Sequence, residues 1–110
     1  MKIAIPTAQG LLCPHFGHCE SFAIIDTADG RIVGRTDMVP PPHEPGLLPR
    51  WIAAQKVNLI ISGGMGNRAQ SIFIQTGVEV IVGAPVDMPE KLVGQYLAGT
   101  LKTGANACDH

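Results

Sequence analysis

Apolar residues follow two rhythms along this chain. Residues 2–6, Lys-Ile-Ala-Ile-Pro, and residues 21–26, Ser-Phe-Ala-Ile-Ile-Asp, are short apolar runs of strand length. Between them, residues 7–19 carry Gly and Pro without a helical period, so they read as one long loop. Ala28, Asp29 and Gly30 supply turn chemistry. Residues 31–39 alternate partially and read as a third strand, with Gly34 marking a bulge. These three strands make a meander. From Leu47 onward the period lengthens. Leu47, Leu48, Trp51 and Ile52 recur at helical spacing, and Pro49 is tolerated in a first turn. Residues 57–62 are almost wholly apolar, as a central parallel strand is. Ala69, Ile72 and Phe73 predict a short helix that stops near Gly77, and residues 78–82 a last strand. Asp87 reads as the N-cap of a final helix, with Pro89 in its first turn and Glu90 three residues after the cap. Leu92, Val93, Tyr96 and Leu97 form that helix's buried stripe, and Gly99 ends it. Residues 100–110 read as loop.

The order β-β-β-α-β-α-β-α predicts an α/β fold. It is a five-stranded mixed sheet, strand order 3-2-1-4-5, with helices on both faces. In that arrangement the loops after strands one, three, four and five leave the sheet at one edge. They carry residues 13–19, His43, residues 63–66 and residues 83–87. Open α/β sheets bind ligands at the carboxyl ends of their strands. The tail starts from the opposite edge, and roughly ten extended residues reach about 33 Å, far enough to wrap back.

Composition narrows the class. With 110 residues, 45% of them hydrophobic and 15% charged, residues 1–110 are expected to form a single domain around an Ile/Val/Leu/Ala core. A formal net charge of −1 gives no basic footprint for nucleic acid and no polybasic patch for a membrane. No apolar run approaches the roughly 20 residues of a spanning helix. The first 13 residues loosely resemble a lipoprotein signal. Pro6, Thr7, Gln9 and Gly10 interrupt its apolar stretch, and Leu12 is not the small residue such a signal needs before its cysteine. The expectation is a cytoplasmic protein, where disulfides are rare. An odd cysteine count leaves ligand or reactive-thiol roles open.

Three cysteines and four histidines are unevenly placed. Cys13, His15, His18 and Cys19 share one stretch, C-P-H-F-G-H-C. Cys108 and His110 end the chain as C-D-H, and His43 follows Pro40-Pro41-Pro42. Thiolate and imidazole are the soft ligands of zinc, copper and iron–sulfur units. Each residue also has a plainer reading. The cysteines can be small buried residues. His15 can fix the loop by bonding its backbone, His18 can face water, His43 can belong to an ordinary surface loop, and the tail can be unstructured. Gly63, Gly64, Met65 and Gly66 lie between a strand and a helix, where backbone N–H groups and the helix N-terminus favour an anionic cluster, with Arg68 adding charge. The plainer reading is a tight turn for close packing, with Met65 in the core. The motif is neither a P-loop nor a dinucleotide fingerprint. Asp26, Asp29 and Asp37 do not reproduce a four-carboxylate nuclease centre.

Taken together, M-K-I-A-I-P-T at the start, P-H-F-G at 14–17, F-A-I-I-D at 22–26, residues 51–69 and the C-D-H end resemble the dinitrogenase iron-molybdenum cofactor biosynthesis family. That family includes stand-alone cluster carriers of the NifX kind and the C-terminal domain of NifB. The resemblance implies a ribonuclease H-like fold. It also implies binding of an iron–sulfur, iron-molybdenum or molybdenum–copper cluster, without tying the chain to nitrogen fixation. The Cys13/Cys19 pair departs from the bare P-H-F-G-R pattern, and His18 stands where Arg is common. Direct thiolate ligation in place of noncovalent holding is the expected consequence. The reading is a non-enzymatic carrier or chaperone that shields a cluster between a donor and an acceptor protein, with two copies able to share one cluster. The alternatives are a zinc-binding or regulatory module, and an enzyme whose Cys13 or Cys19 is activated by His15 or His18.

Overall fold

The computed structural model describes residues 1–16, 19–41 and 47–105. Its elements run β1 (Lys2–Ala8), β2 (Leu11–Leu12), β3 (Ser21–Ala28), β4 (Arg31–Met38), α1 (Leu47–Ala54), β5 (Leu59–Ile61), α2 (Asn67–Gln75), β6 (Glu79–Ile81) and α3 (Pro89–Ala98). One mixed sheet has the path β4-β3-β1-β5-β6, with β2 paired to β1. Among the described residues the sheet therefore has six strands, not five. The extra strand lies inside the segment expected to be loop. β1 runs on to Ala8, turns through Gln9 and Gly10, and pairs back through Thr7↔Leu12 and Ala8↔Leu11. Both turn residues have positive φ, 55° and 81°, as a two-residue hairpin with right-handed strand twist requires.

β3 and β4 are antiparallel, as are β1 and β3, while β5 and β6 run parallel to β1. The carboxyl ends of β1, β4, β5 and β6 accordingly share one edge. The bulge in β4 falls at Val33. Asp26 pairs with Gly34 and Thr27 with Ile32, so Val33 is the unmatched residue.

Strand alternation sends side chains to two cores. Ala4, Phe22, Ile24 and Ile60 meet Ile52 of α1 and Phe73 of α2 on one face. Ile3, Ile5, Ile25, Leu59 and Ile61 meet Leu92 and Val93 of α3 on the other. Burial on both faces explains why β1, β3 and β5 are nearly all apolar. The N-cap of α3 is Met88, not Asp87. Asp87 sits one residue earlier. There its carboxylate accepts the Met88 N–H at 2.8 Å and pairs with Lys91 at 3.0 Å. Gly99 closes α3 in the left-handed conformation.

Candidate functional site

The segment after β2 is fixed to the sheet edge by backbone contacts. Leu12 N–H donates to the Asp87 carbonyl at 3.0 Å, and Cys13 N–H to the Pro6 carbonyl at 2.8 Å. At its far end, Glu20 N–H donates to the Thr7 carbonyl at 2.8 Å. In the middle, Phe16 N–H donates to the Gly64 carbonyl at 3.0 Å. The Phe16 ring is buried edge-on against Phe22 and Phe73, with centroids 5.8 and 5.7 Å away. Each such aromatic pair adds about 0.5–1.5 kcal/mol beyond area burial. This polar, Gly/Pro-bearing loop is thus pinned by one aromatic residue to β3 and α2.

The glycine turn lies directly beneath it. A Cβ on Gly63 would sit 3.1 Å from Pro14 Cα and 3.1 Å from Leu12 Cδ2. Glycine is what lets the loop lie flat on the turn. The two motifs singled out in the sequence, residues 13–16 and residues 63–64, therefore touch. Gly63, Gly64 and Met65 are buried, and Met65 is fully inside the core with Phe16 and Phe73. Gly66 is exposed and forms the N-cap of α2. The open part of the expected cradle is thus Gly66 and the start of α2, where Arg68 is also exposed.

Cys13 is buried, and its Sγ donates to the His15 carbonyl at 3.2 Å. His15 is exposed. Cys19 is half-buried against the core cluster that holds Phe16 and Phe22. Its thiol is pushed up to about 12, first by burial and then by the nearby Cys13, against a smaller lowering by a backbone hydrogen bond. Both cysteines are free thiols. A thiol at about 12 holds almost no thiolate at neutral pH, which removes the activation a nucleophilic Cys19 would need.

His18, His43, Cys108 and His110 lie outside the described residues. Among the described residues, no three His, Cys, Asp or Glu side chains gather as a metal site. Two anchors escaped the sequence reading. One is Phe16, whose only signal was a lone aromatic in a polar loop. The other is Gly83, which has φ +78° and lies against Gly104 of the tail.

Comparison with known proteins agrees with this framework. Residues 1–99 match the family model described as dinitrogenase iron-molybdenum cofactor. An uncharacterized protein of Methanocaldococcus jannaschii is 32% identical over 108 residues, spanning 93% of this chain and 90% of the relative. The crystal structure of PH0822 superposes with a TM-score of 0.90 at 24% identity, over 97% of each chain. The apo form of the orange protein from Desulfovibrio gigas superposes with a TM-score of 0.76 at 20% identity, over 96% of this chain and 93% of that one. At these identities the two solved structures show a shared fold.

Proposed function

The chain belongs to the dinitrogenase iron-molybdenum cofactor family, and from that premise we propose that it is a small carrier that takes up a metal–sulfur cluster as cargo and passes it on without covalent turnover. The observation that supports this most is the meeting of residues 13–16 with the Gly63–Gly64 turn at the carboxyl edge of the sheet. Cys13 and Cys19 border this loop, and the exposed His15 lies two residues after Cys13. The donor set fits an iron- or molybdenum-containing metal–sulfur unit in kind.

In the carrier reading, Cys13 and Cys19 ligate and His15 borders the cargo, with His18 and His43 as further donors. Gly66 and the start of α2 offer positive potential to an anionic cluster. Ligation takes the proton from each thiol, and Cys13 Sγ must leave the His15 carbonyl to bind. A donor set that is short of a closed cage suits release to an acceptor protein. No described helix is long and apolar enough to cross a membrane, and the carrier reading places the chain, one domain over residues 1–110, in the cytoplasm.

The test is anaerobic reconstitution with iron and sulfide. The carrier reading expects a visible sulfur-to-iron charge-transfer band that the Cys13→Ser/Cys19→Ser double variant loses. A colourless protein that instead binds zinc stoichiometrically would replace this reading with that of a zinc module. A non-denaturing mass measurement of the loaded form reports whether two copies share one cluster.

A further inference from the structure

β4 is an open edge of the sheet. It ends the path β4-β3-β1-β5-β6, and among the described residues no strand pairs with its outer side. All but two of its eight residues are exposed. An edge of that length is a template for another strand. The bulge at Val33 interrupts it near its start. Pro40 and Pro41, which carry no backbone N–H, follow its end. Between them lies one regular run, residues 34–38, paired to β3 without a break.

This run is complementary to itself. When two sheets join edge to edge in antiparallel fashion, facing residues share a sheet face. Centring such a pair on Thr36 sets Thr36 against Thr36. It sets Arg35 against Asp37 twice and Gly34 against Met38 twice, so all five residues are matched. Arg35 lies opposite Ile25, on the face that meets α3, and Asp37 shares that face. Within one copy Arg35 Nε donates to Asp37 at 3.0 Å, and Arg35 Nη1 donates to Glu90 of α3. These bonds use two of the five guanidinium donors. The Asp37 side chain is 58% exposed. Both groups therefore keep capacity for a second copy. Neighbouring registers do not work. Centring on Arg35 or on Asp37 sets like charges face to face, which is destabilising. Centring on Gly34 carries the bulge into the ladder, and centring on Met38 carries in Pro40.

We propose that β4 is a self-association edge, through which two copies of this chain join about a two-fold axis at Thr36 into one continuous sheet. Alternating Arg35 and Asp37 charges set the register. The paired β4 strands run oppositely, so the carboxyl edges of the two copies point away from each other. Each copy then keeps its own candidate ligand loop, and no cluster is shared. The pairing does not rest on the carrier reading, whereas the cluster count does. Five paired residues a side bury less than the about 1,200 Å2 of a stable complex, so the dimer is weak and concentration-dependent. Its exposed charge pairs make it salt-sensitive.

Sedimentation equilibrium of the full chain without metal, from about 10 μM to about 1 mM, tests this. The mass should rise from one copy towards two at low salt and fall back at high salt. Asp37→Arg and Arg35→Asp should each weaken self-association about tenfold or more. An equimolar mixture of the two should dimerise again, because facing charges are opposite once more. Arg35→Asp also loses the Glu90 bond and risks the fold. Thr36→Lys sets two like charges at the axis while leaving the Arg35 bonds in place, and it should weaken the dimer equally. A mass of one copy at every concentration would overturn the proposal. So would a dimer that persists in Asp37→Arg and Thr36→Lys, which would put the contact elsewhere. A mixture that stays monomeric, with both variants folded, would overturn the Thr36 register. A chain that dimerises as described but takes up no cluster leaves this edge standing and the carrier reading wrong.

Discussion

Gly63 and Pro14 are separated by so little space that one added methyl group would lie 3.1 Å from the Pro14 Cα and 3.2 Å from its carbonyl oxygen. This contact is the seam between the candidate ligand loop and the sheet. It makes the position of Cys13 depend on the side chain, or its absence, at a residue 50 positions away in sequence.

Gly63→Ala should lift the loop from the turn. The neighbours at the seam are backbone atoms and the packed Leu12, which have little room to give. Overpacking of this kind costs about 1–3 kcal/mol. Chemical denaturation should show that loss, and reconstituted cluster absorbance should fall with it. A variant as stable and as well loaded as the parent would show that the seam does not position the site.

Phe16→Ala should cost about 3–5 kcal/mol, in the range for deleting a buried aromatic side chain. It removes the ring contacts to Phe22 and Phe73 while leaving the Phe16 N–H to Gly64 bond possible. The more informative readout is Cys13. Its alkylation rate should rise at a pH where the parent is protected, because the loop that buries it has lost its anchor. Phe16→Leu should restore part of both losses.

Cys19 makes stability fall at high pH. Its thiol ordinarily titrates near 9.0 and is raised to about 12 in the folded chain, chiefly by burial. The folded state therefore holds the proton more tightly than the unfolded state. The resulting stabilisation is complete below about pH 9 and is lost as pH rises through about 12. Melting temperature measured from pH 8 to 11 should drop more steeply in the parent than in Cys19→Ala. Equal slopes would mean that Cys19 is not the group responsible.

Asp87 links the start of α3 to β2. Its carboxylate holds Met88 N–H and Lys91, and its carbonyl holds Leu12 N–H. The Met88 and Lys91 contacts keep its pKa below the usual carboxylate value of 3.8. Their contribution is present above that value and fades as pH falls through the lowered one. Asp87→Asn should flatten the acid limb of the stability profile slightly, with unchanged cluster loading, since the Leu12 contact uses backbone. A marked loading defect would mean that this carboxylate serves the site directly.

Much of this was legible in residue order. Runs such as 57–62 and the spacing of Leu92, Val93 and Tyr96 report each element's own burial, so the mixed α/β character and all three helices could be read locally. The same order placed residues 63–66 after a strand that ends at the carboxyl edge, whereas residues 13–16 follow β2, which runs back against β1. Local rules failed where two signals competed. Asp87 has the chemistry of an N-cap, yet Pro89 begins the helix one residue later than that cap requires, and Asp87 caps Met88 from outside. β2 has only two residues, too few to show any period.

What the sequence alone determined, then, is the three described helices, five of the six described strands and the identity of the soft side chains, because periodicity and turn chemistry are properties of neighbouring residues. Tertiary structure alone decided that Phe16 anchors the loop, that Pro14 lies on Gly63, that Met65 belongs to the core, and that Gly104 docks on Gly83. Each of these is a contact between segments distant in the chain. Such contacts depend on how closely two backbones approach, and a glycine looks the same in sequence whether it faces solvent or another strand.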